Sequence, residues 1–292
     1  MSEHMIAANG IEICTEAFGN PNDVPILLVM GATSSMLMWR EGFIDQLVAG
    51  GRFVIRYDNR DTGKSSCFDF EQEPYTVSDM AVDAVGVLDA YDIESAHAVG
   101  TSLGGFIVQH LAFDHRARVR TITPIMSSSD PTAALTAVGG DAGDTALPPP
   151  TDDWVSAIAE LAELDPDDIS AAIELRVRML GMLHGSAHPF PEAQTRAVVE
   201  AEVARGRDYS KANNHGLTFA ATPRWVDRLE TLDVSTLVIH GTEDIILPYP
   251  HAKALAGGIA GARLLTLEGV GHSMPEEEWG RITSAILEHT SS

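Results

Sequence analysis

A serine flanked by glycines is the first residue of this chain whose setting suggests chemistry. Residues 100–104 read GTSLG, a G-x-S-x-G pattern, between the apolar HAV and the helix-like GFIVQHLA. A strand that reverses at once into a helix strains its central residue and pushes that side chain outward. Glycines are needed on both sides because a Cβ would clash in so tight a turn. The pattern predicts that Ser102 is an exposed nucleophile; the alternative is a turn that only packs helix against strand.

A serine hydroxyl needs a general base to become a good nucleophile. Of the 11 histidines, His272 stands in the loop LEGVGHSMP, between a predicted strand and the last predicted helix. A side chain there can lean over the end of the sheet, so we expect His272 to be the base. The other histidines that fall within predicted strands, predicted helices or the segment 127–230 are better explained by core or surface roles. They are His97, His110, His115, His184, His188, His215 and His289.

The base in turn needs a carboxylate that fixes its tautomer. Asp244 lies in the segment LVIHGTEDIILP, three residues after the glycine that ends a predicted strand. We therefore expect Asp244 to be the acid. The adjacent Glu243 and the more distant Asp130, which follows an earlier strand, are the alternatives.

Acyl transfer also needs two N–H donors for the developing oxyanion. In LLVMGATSS a buried strand ends at Gly31, and Ala32 follows it. The backbone amides of Ala32 and Leu103 are the expected pair, with Gly31 lining the substrate pocket. The alternative is a glycine loop that only turns the chain.

Alternating strands and helices would place these residues together. Asn9-Gly10 is a hairpin turn signal, and it precedes the alternating segment IEICTEAFG. Continuous apolar runs then predict strands buried on both faces, with helical patterns between them. This alternation predicts a mostly parallel sheet with helices on both faces. The predicted buried strands are 26–30, 53–58, 96–100, 119–125, 235–241 and 263–269.

The alternation stops after residue 126 and resumes near residue 231. A Gly/Pro-rich stretch at 138–150 leads into helical patterns near 154–164, 167–183 and 191–206. We therefore predict a core of residues 1–126 and 231–292, and a helical cap of residues 127–230. Methionines near the cap are expected to line an apolar pocket, with ordinary core positions as the alternative. They are Met36, Met38, Met126, Met179 and Met182.

The formal net charge of −23 bears on partners and location. With 42 acidic and 19 basic residues in 292, the chain should repel nucleic acid and anionic membranes. No apolar run approaches the length that spans a bilayer, and the N-terminus lacks a signal-peptide pattern, so a cytoplasmic protein is expected. Cys14 and Cys67 are expected to be buried, reduced thiols. No metal-ligand cluster or nucleotide loop is evident, so no cofactor or metal is expected.

Four motifs in this order resemble the α/β-hydrolase fold family: LLVMGA, YDNRDTGKS, VGTSLGG and GTED…GVGH. The resemblance implies an eight-stranded, mostly parallel sheet with a cap between the sixth and seventh strands, and a triad in the chain order Ser102, Asp244, His272. Two departures are Met30-Gly31, where many members have His-Gly, and Asp61, where many have glycine. Both variants are similar to the serine-hydrolase subgroup that contains aclacinomycin methylesterase.

The resemblance implies a serine carboxylic-ester hydrolase that forms an acyl-enzyme. The expected partner is a small or medium apolar ester, such as a methyl ester of an aromatic polyketide, and a second copy of the chain, in a homodimer, is a further candidate partner. Alternatives on the same fold are a carbon–carbon-bond hydrolase, a lyase, a perhydrolase, a cofactor-free oxygenase and a ligand-binding protein. The serine itself argues against the relatives that use aspartate at this position.

Overall fold

One eight-stranded sheet organises the part of the chain that the computed structural model describes, which is residues 3–132, 135, 140, 144–165 and 168–291. The strands are β1 (His4–Ala8), β2 (Ile11–Phe18), β3 (Val24–Val29), β4 (Arg52–Tyr57), β5 (Ala96–Thr101), β6 (Val119–Ile125), β7 (Ser235–Gly241) and β8 (Arg263–Leu267). Their order across the sheet is β1-β2-β4-β3-β5-β6-β7-β8. Only the β1–β2 and β2–β4 pairs of this described sheet are antiparallel. The predicted mostly parallel, eight-stranded sheet is confirmed.

The hairpin that opens the sheet follows from its turn residues. Asn9 and Gly10 have φ values of 50° and 77°. Both values lie in the left-handed region that a type I′ turn requires. Ala8 therefore pairs with Ile11, and β1 and β2 run antiparallel as predicted.

Helices cover both faces of the sheet. One core cluster contains Leu88, Phe106 and Leu255, and a second contains Phe43 and Ile286. Fully burying an aliphatic or aromatic side chain contributes about 1.5–3 kcal/mol, so the two apolar layers hold the helices to the sheet. The helices are α1 (Glu41–Ala49), α2 (Val77–Ala90), α3 (Leu103–Asp114), α4 (Asp152–Glu163), α5 (Ile169–Met182), α6 (Glu192–Arg205), α7 (Asn214–Ala221), α8 (Pro250–Gly258) and α9 (Trp279–His289).

Helix α2 shows how the sequence sets one of these elements. Thr76 accepts a hydrogen bond from the Asp79 amide, and the Asp79 side chain accepts one from the Thr76 amide. This capping box fixes the first turn. Met80 and Leu88 are then fully buried, because helical spacing brings both onto the face that packs on the core.

Helices α4 to α7 lie between β6 and β7, and we call them the cap. The predicted patterns near 154–164, 167–183 and 191–206 correspond to α4, α5 and α6, whereas α7 was not predicted. A separate apolar cluster holds α4 to α5. Parts of the predicted Gly/Pro-rich stretch, at 138–139 and 141–143, lie outside the described residues. The division into core and cap at residues 126 and 231 stays a prediction.

The two departures from the family pattern have structural counterparts. Asp61 has φ 65°, in the left-handed region where glycine is favoured and where Asp is tolerated better than most residues. Its buried carboxylate accepts hydrogen bonds from the Phe68 amide at 2.7 Å and the Tyr75 hydroxyl at 2.6 Å. Thr101 Oγ1 donates to Met30 Sδ at 3.2 Å. Asp61 thus holds its own loop through side-chain hydrogen bonds, which glycine could not form.

The cysteines agree only in part with the expectation of burial. Both are free thiols, but Cys14 is buried whereas Cys67 is half-buried. Burial raises the pKa of the Cys14 thiol to about 11. Cys14 therefore stays protonated at neutral pH, while the predicted burial of Cys67 is only partial.

No helix among the described residues combines the length and the apolar character that crossing a bilayer would need.

Candidate active site

The junction between β5 and α3 places Ser102 in a strained turn. Ser102 has φ 50° and ψ −115°, between the last residue of β5 and the first of α3. A Cβ on Gly100 would come within 2.1 Å of the Gly104 carbonyl oxygen, and one on Gly104 within 2.1 Å of the Val29 oxygen. The glycines are therefore required by close backbone approach. Strain of this kind persists only where the surrounding structure enforces it, and it clusters at functional sites.

Hydrogen bonds from β6 and the loop after it hold this turn. The Ser102 amide donates to the Ile125 carbonyl at 2.8 Å. The Ser127 hydroxyl donates to the Ser102 carbonyl at 3.0 Å. Sequence reasoning missed Ser127, whose only signal is its place in a serine run directly after β6.

His272 and Asp244 form the acid–base pair of the site. His272 Nδ1 lies 2.6 Å from Asp244 Oδ2, although 28 positions separate the two residues. The loops after β7 and β8 carry them, and these parallel strands end at the same edge of the sheet. The imidazole is thus held with Nε2 directed away from the carboxylate, as a general base needs.

The carboxylate of Asp244 is fully buried and accepts three hydrogen bonds from the described residues, two on Oδ1 and one, from His272, on Oδ2. Oδ1 accepts from the Ile246 and Leu247 amides at 2.9 and 2.8 Å. His240 Nε2 lies 3.2 Å from Oδ2, on the same oxygen that His272 contacts. Burial by itself would raise the pKa of Asp244. The charge of His272 and the contacts with His272 and His240 outweigh it and hold the pKa of Asp244 well below its ordinary value.

His240 is the second residue of the site that sequence reasoning missed. It ends the apolar run of β7, and its position four residues before Asp244 is the available signal. Its Nε2 also lies 2.8 Å from the Leu247 carbonyl, so this nitrogen carries the proton and donates to that carbonyl, with the Asp244 carboxylate as a second, longer contact. His240 therefore supports the acid and is itself fully buried.

The Ser102 hydroxyl has no hydrogen bond to His272 within the described part of the chain. Contacts between a serine and its base are often long without substrate and tighten when substrate binds. The structure thus brings His272 and Asp244 into direct contact and places Ser102 at the same edge of the sheet, after β5.

Gly31 brings the loop after β3 against the serine. A Cβ on Gly31 would lie 3.3 Å from the Ser102 Cβ and 3.3 Å from the Thr101 carbonyl oxygen. Neither the Ala32 amide nor the Leu103 amide donates a hydrogen bond among the described residues. Leu103 is the first residue of α3, so its N–H belongs to a helix N-terminus that favours negative charge. A role of the two amides in binding an oxyanion stays a prediction.

The two alternative acids are engaged elsewhere. Glu243 is exposed and accepts hydrogen bonds from the Ser186 amide at 2.8 Å and hydroxyl at 2.7 Å. Asp130 pairs with Arg224 at 2.6 Å. Its carboxylate also accepts from Thr132. Neither contacts His272, so the geometry favours Asp244.

Four of the five methionines that were predicted to line a pocket belong to two separate apolar clusters. Met126 belongs to the core cluster of the sheet, with Met38 packed against it, and Met36 is fully buried. Met179 and Met182 belong to the apolar cluster of the cap, which also contacts Ile245 and Ile246 beside Asp244. The cap pair thus packs close to the acid loop. A pocket role for any of the five stays a prediction.

Among the described residues, no group of three or more His, Cys, Asp or Glu side chains has the arrangement of a metal site.

Comparisons with known proteins identify relatives over nearly the whole chain. The sequence profile of a family described as alpha/beta hydrolase fold matches residues 24–278. Rhodomycin D methylesterase DnrP from Streptomyces peucetius is 34% identical, over 99% of this chain and 98% of the relative. Rhodomycin D methylesterase DauP from Streptomyces sp. (strain C5) is 33% identical, over 99% and 98%.

A solved structure shares the fold. A hydrolase from Pseudomonas aeruginosa PA01 superposes with a TM-score of 0.73 at 24% identity, covering 99% of this chain and 98% of that one. The family profile, the two relatives and the sheet order agree with one another. The chain belongs to the α/β-hydrolase fold family.

Proposed function

We propose that this α/β hydrolase is a serine carboxylic-ester hydrolase with Ser102, His272 and Asp244 as its triad. The observation that carries the proposal is the 2.6 Å hydrogen bond between His272 and Asp244. It lies at the sheet edge where Ser102 occupies a strained turn with φ 50°. A serine alone is a weak nucleophile, and this pair supplies the base that it needs.

The proposed reaction proceeds through an acyl-enzyme. His272 Nε2 takes the Ser102 proton as Oγ attacks the ester carbonyl, and the Ala32 and Leu103 amides bind the oxyanion. His272 then returns the proton to the leaving alcohol as the ester bond breaks. Water then replaces the alcohol: His272 Nε2 takes a proton from it as its oxygen attacks the acyl carbonyl. The bond between the acyl group and Oγ breaks and His272 returns the proton to Oγ, which releases the acid and regenerates the Ser102 hydroxyl.

The substrate class is proposed from the relatives. Two of them are named as methylesterases and cover nearly the whole chain. We therefore favour a methyl ester of an aromatic polyketide as substrate. The apolar side chains of the cap beside Asp244 are compatible with such a substrate.

Product analysis in isotopically labelled water tests the reaction type. Methyl esters of aromatic polyketides and short p-nitrophenyl esters are incubated with the protein in H₂¹⁸O, and acid and alcohol are identified by mass spectrometry. Ester hydrolysis predicts one ¹⁸O atom in the acid and none in the alcohol. Conversion of the substrate without formation of an acid would instead indicate a lyase or an oxygenase.

A further inference from the structure

Three cap residues hold consecutive residues of the loop after β3, which we call the oxyanion loop (residues 31–35). His215 Nδ1 accepts a hydrogen bond from the Thr33 amide at 3.1 Å. Arg176 donates to the Ser34 hydroxyl at 2.6 Å. Glu202 Oε1 accepts from the Ser35 amide at 2.6 Å. The loop is therefore fastened at three successive residues to α5, α6 and α7.

We infer that Glu202 is a positioning residue for the oxyanion hole: by fixing the Ser35 amide, it fixes the loop that presents the Ala32 N–H to the ester. This inference rests on the proposed function, because it assigns the Ala32 amide to the oxyanion. It makes the cap part of the catalytic geometry.

The burial of Glu202 indicates a role beyond holding the cap together. Its side chain is only 3% exposed, and Oε2 has no partner among the described residues. Burying a carboxylate is costly unless it is paired and hydrogen-bonded. Burial raises the pKa of Glu202, even though Arg176 and the bonds from Ser35 act to lower it. An apolar residue at position 202 would avoid the cost of burying a carboxylate if α6 needed only to pack at this point.

The oxyanion loop needs external support because its backbone is strained. Thr33 is β-branched and has φ 61°, a conformation that such residues rarely adopt. Strain of this type persists only when neighbours impose it. His215 holds the amide of the strained residue itself, and Glu202 holds the amide two residues further on, so both contacts restrain the segment that directly follows Ala32.

Asp58 and Arg205 extend the same support along the chain. Asp58 Oδ1 accepts from the Met36 amide at 2.9 Å. Arg205, the last residue of α6, pairs with Asp58 Oδ2 at 2.7 Å. Helix α6 thus reaches the segment after β3 through Glu202 directly and through Arg205 and Asp58 indirectly.

The experiment compares Glu202→Met with Glu200→Met, which places the same substitution at an exposed position of the same helix. Hydrogen exchange of a peptide spanning residues 31–36 reports loop order, and kcat and KM for an ester report catalysis. A trifluoromethyl ketone reports the hole itself, because Ser102 adds to its carbonyl and the resulting oxyanion occupies the hole. Glu202→Gln, whose Oε1 can still accept from Ser35, is the conservative variant.

We expect Glu202→Met to speed exchange in residues 31–36 and to lower kcat roughly 10- to 100-fold, with KM changed less than about threefold. The ketone should bind more weakly by a similar factor, Glu202→Gln should recover most of the loss, and Glu200→Met should match the wild type. If Glu202→Met does not fold, Glu202→Asp provides the test, because its shorter side chain cannot reach the Ser35 amide.

Equal exchange rates and equal kcat in the Glu202 and Glu200 variants would overturn the inference. A wild-type protein that hydrolyses no ester would contradict the proposed function instead. In that case the exchange comparison still decides whether Glu202 positions the loop, so the two failures are distinguishable.

Discussion

His272 Nδ1 lies 2.6 Å from a carboxylate oxygen of Asp244, and the two residues follow adjacent parallel strands. The contact joins two loops that local sequence patterns treat separately. It also orients the imidazole, because a proton on Nδ1 leaves Nε2 free to accept one. The consequences of this contact and of the strained serine turn can be tested separately.

Replacing Asp244 by asparagine should lower kcat by about 10³–10⁴, because the amide can hold His272 in the wrong tautomer. Initial rates of ester hydrolysis measure the effect. The control is Glu243→Gln, since Glu243 is the neighbouring carboxylate and contacts Ser186 instead of His272. Similar losses from the two substitutions would contradict the assignment of Asp244.

The tight turn around Ser102 should not tolerate a methyl group. In Gly104→Ala the new Cβ would meet the Val29 carbonyl oxygen at 2.1 Å, so backbone must move. We expect a loss of roughly 3 kcal/mol or more in the free energy of unfolding, measured by chemical denaturation, together with loss of activity.

Gly257→Ala is the matched control for this glycine substitution. Gly257 lies in α8 and has open space where its Cβ would be. Alanine there should stabilise the protein by about 0.4–1 kcal/mol. Equal destabilisation by the two substitutions would show that the turn has no special constraint.

His110 should make the free energy of unfolding depend on pH. Burial lowers the pKa of His110 to about 4, from 6.5 in its ordinary state. Between these values the unfolded chain binds a proton that the folded chain does not, so the free energy of unfolding falls as pH decreases from 6.5 to 4. Below pH 4 this contribution is fully lost.

The variant His110→Gln isolates this effect. Glutamine does not titrate, so its free energy of unfolding should fall less steeply over that range, by up to about 1.4 kcal/mol per pH unit. Urea titrations at several pH values measure both slopes. Parallel curves for the variant and the wild type would rule out His110 as a source of the acid sensitivity.

The parts of the site that the sequence predicts are those encoded in local patterns. The glycines around Ser102 and the Asn9-Gly10 turn require specific backbone conformations, so their residue types alone indicate the geometry. Asp244 and His272 follow strands with clear apolar runs, and the ends of parallel strands share one edge. Their contact was therefore predictable although 28 positions separate them.

The supporting residues could not be predicted in the same way. The Ser35 amide and Glu202 are 167 positions apart, and the Thr33 amide and His215 are 182 apart. Their contacts depend on how the cap packs on the core, which no local period specifies. Helix α7, which carries His215, was missed as well. The sequence of α6 gives no sign that Glu202, one of its charged residues, is buried.

The most direct test of the central proposal is covalent labelling of Ser102. Wild-type protein and Ser102→Ala are treated with a fluorophosphonate, digested and analysed by mass spectrometry, and ester turnover is measured on the same samples. Circular dichroism verifies that the variant is folded. We predict one adduct on the peptide containing Ser102 in the wild type, and neither adduct nor turnover in the variant. Labelling or ester hydrolysis that persists in folded Ser102→Ala would contradict this prediction.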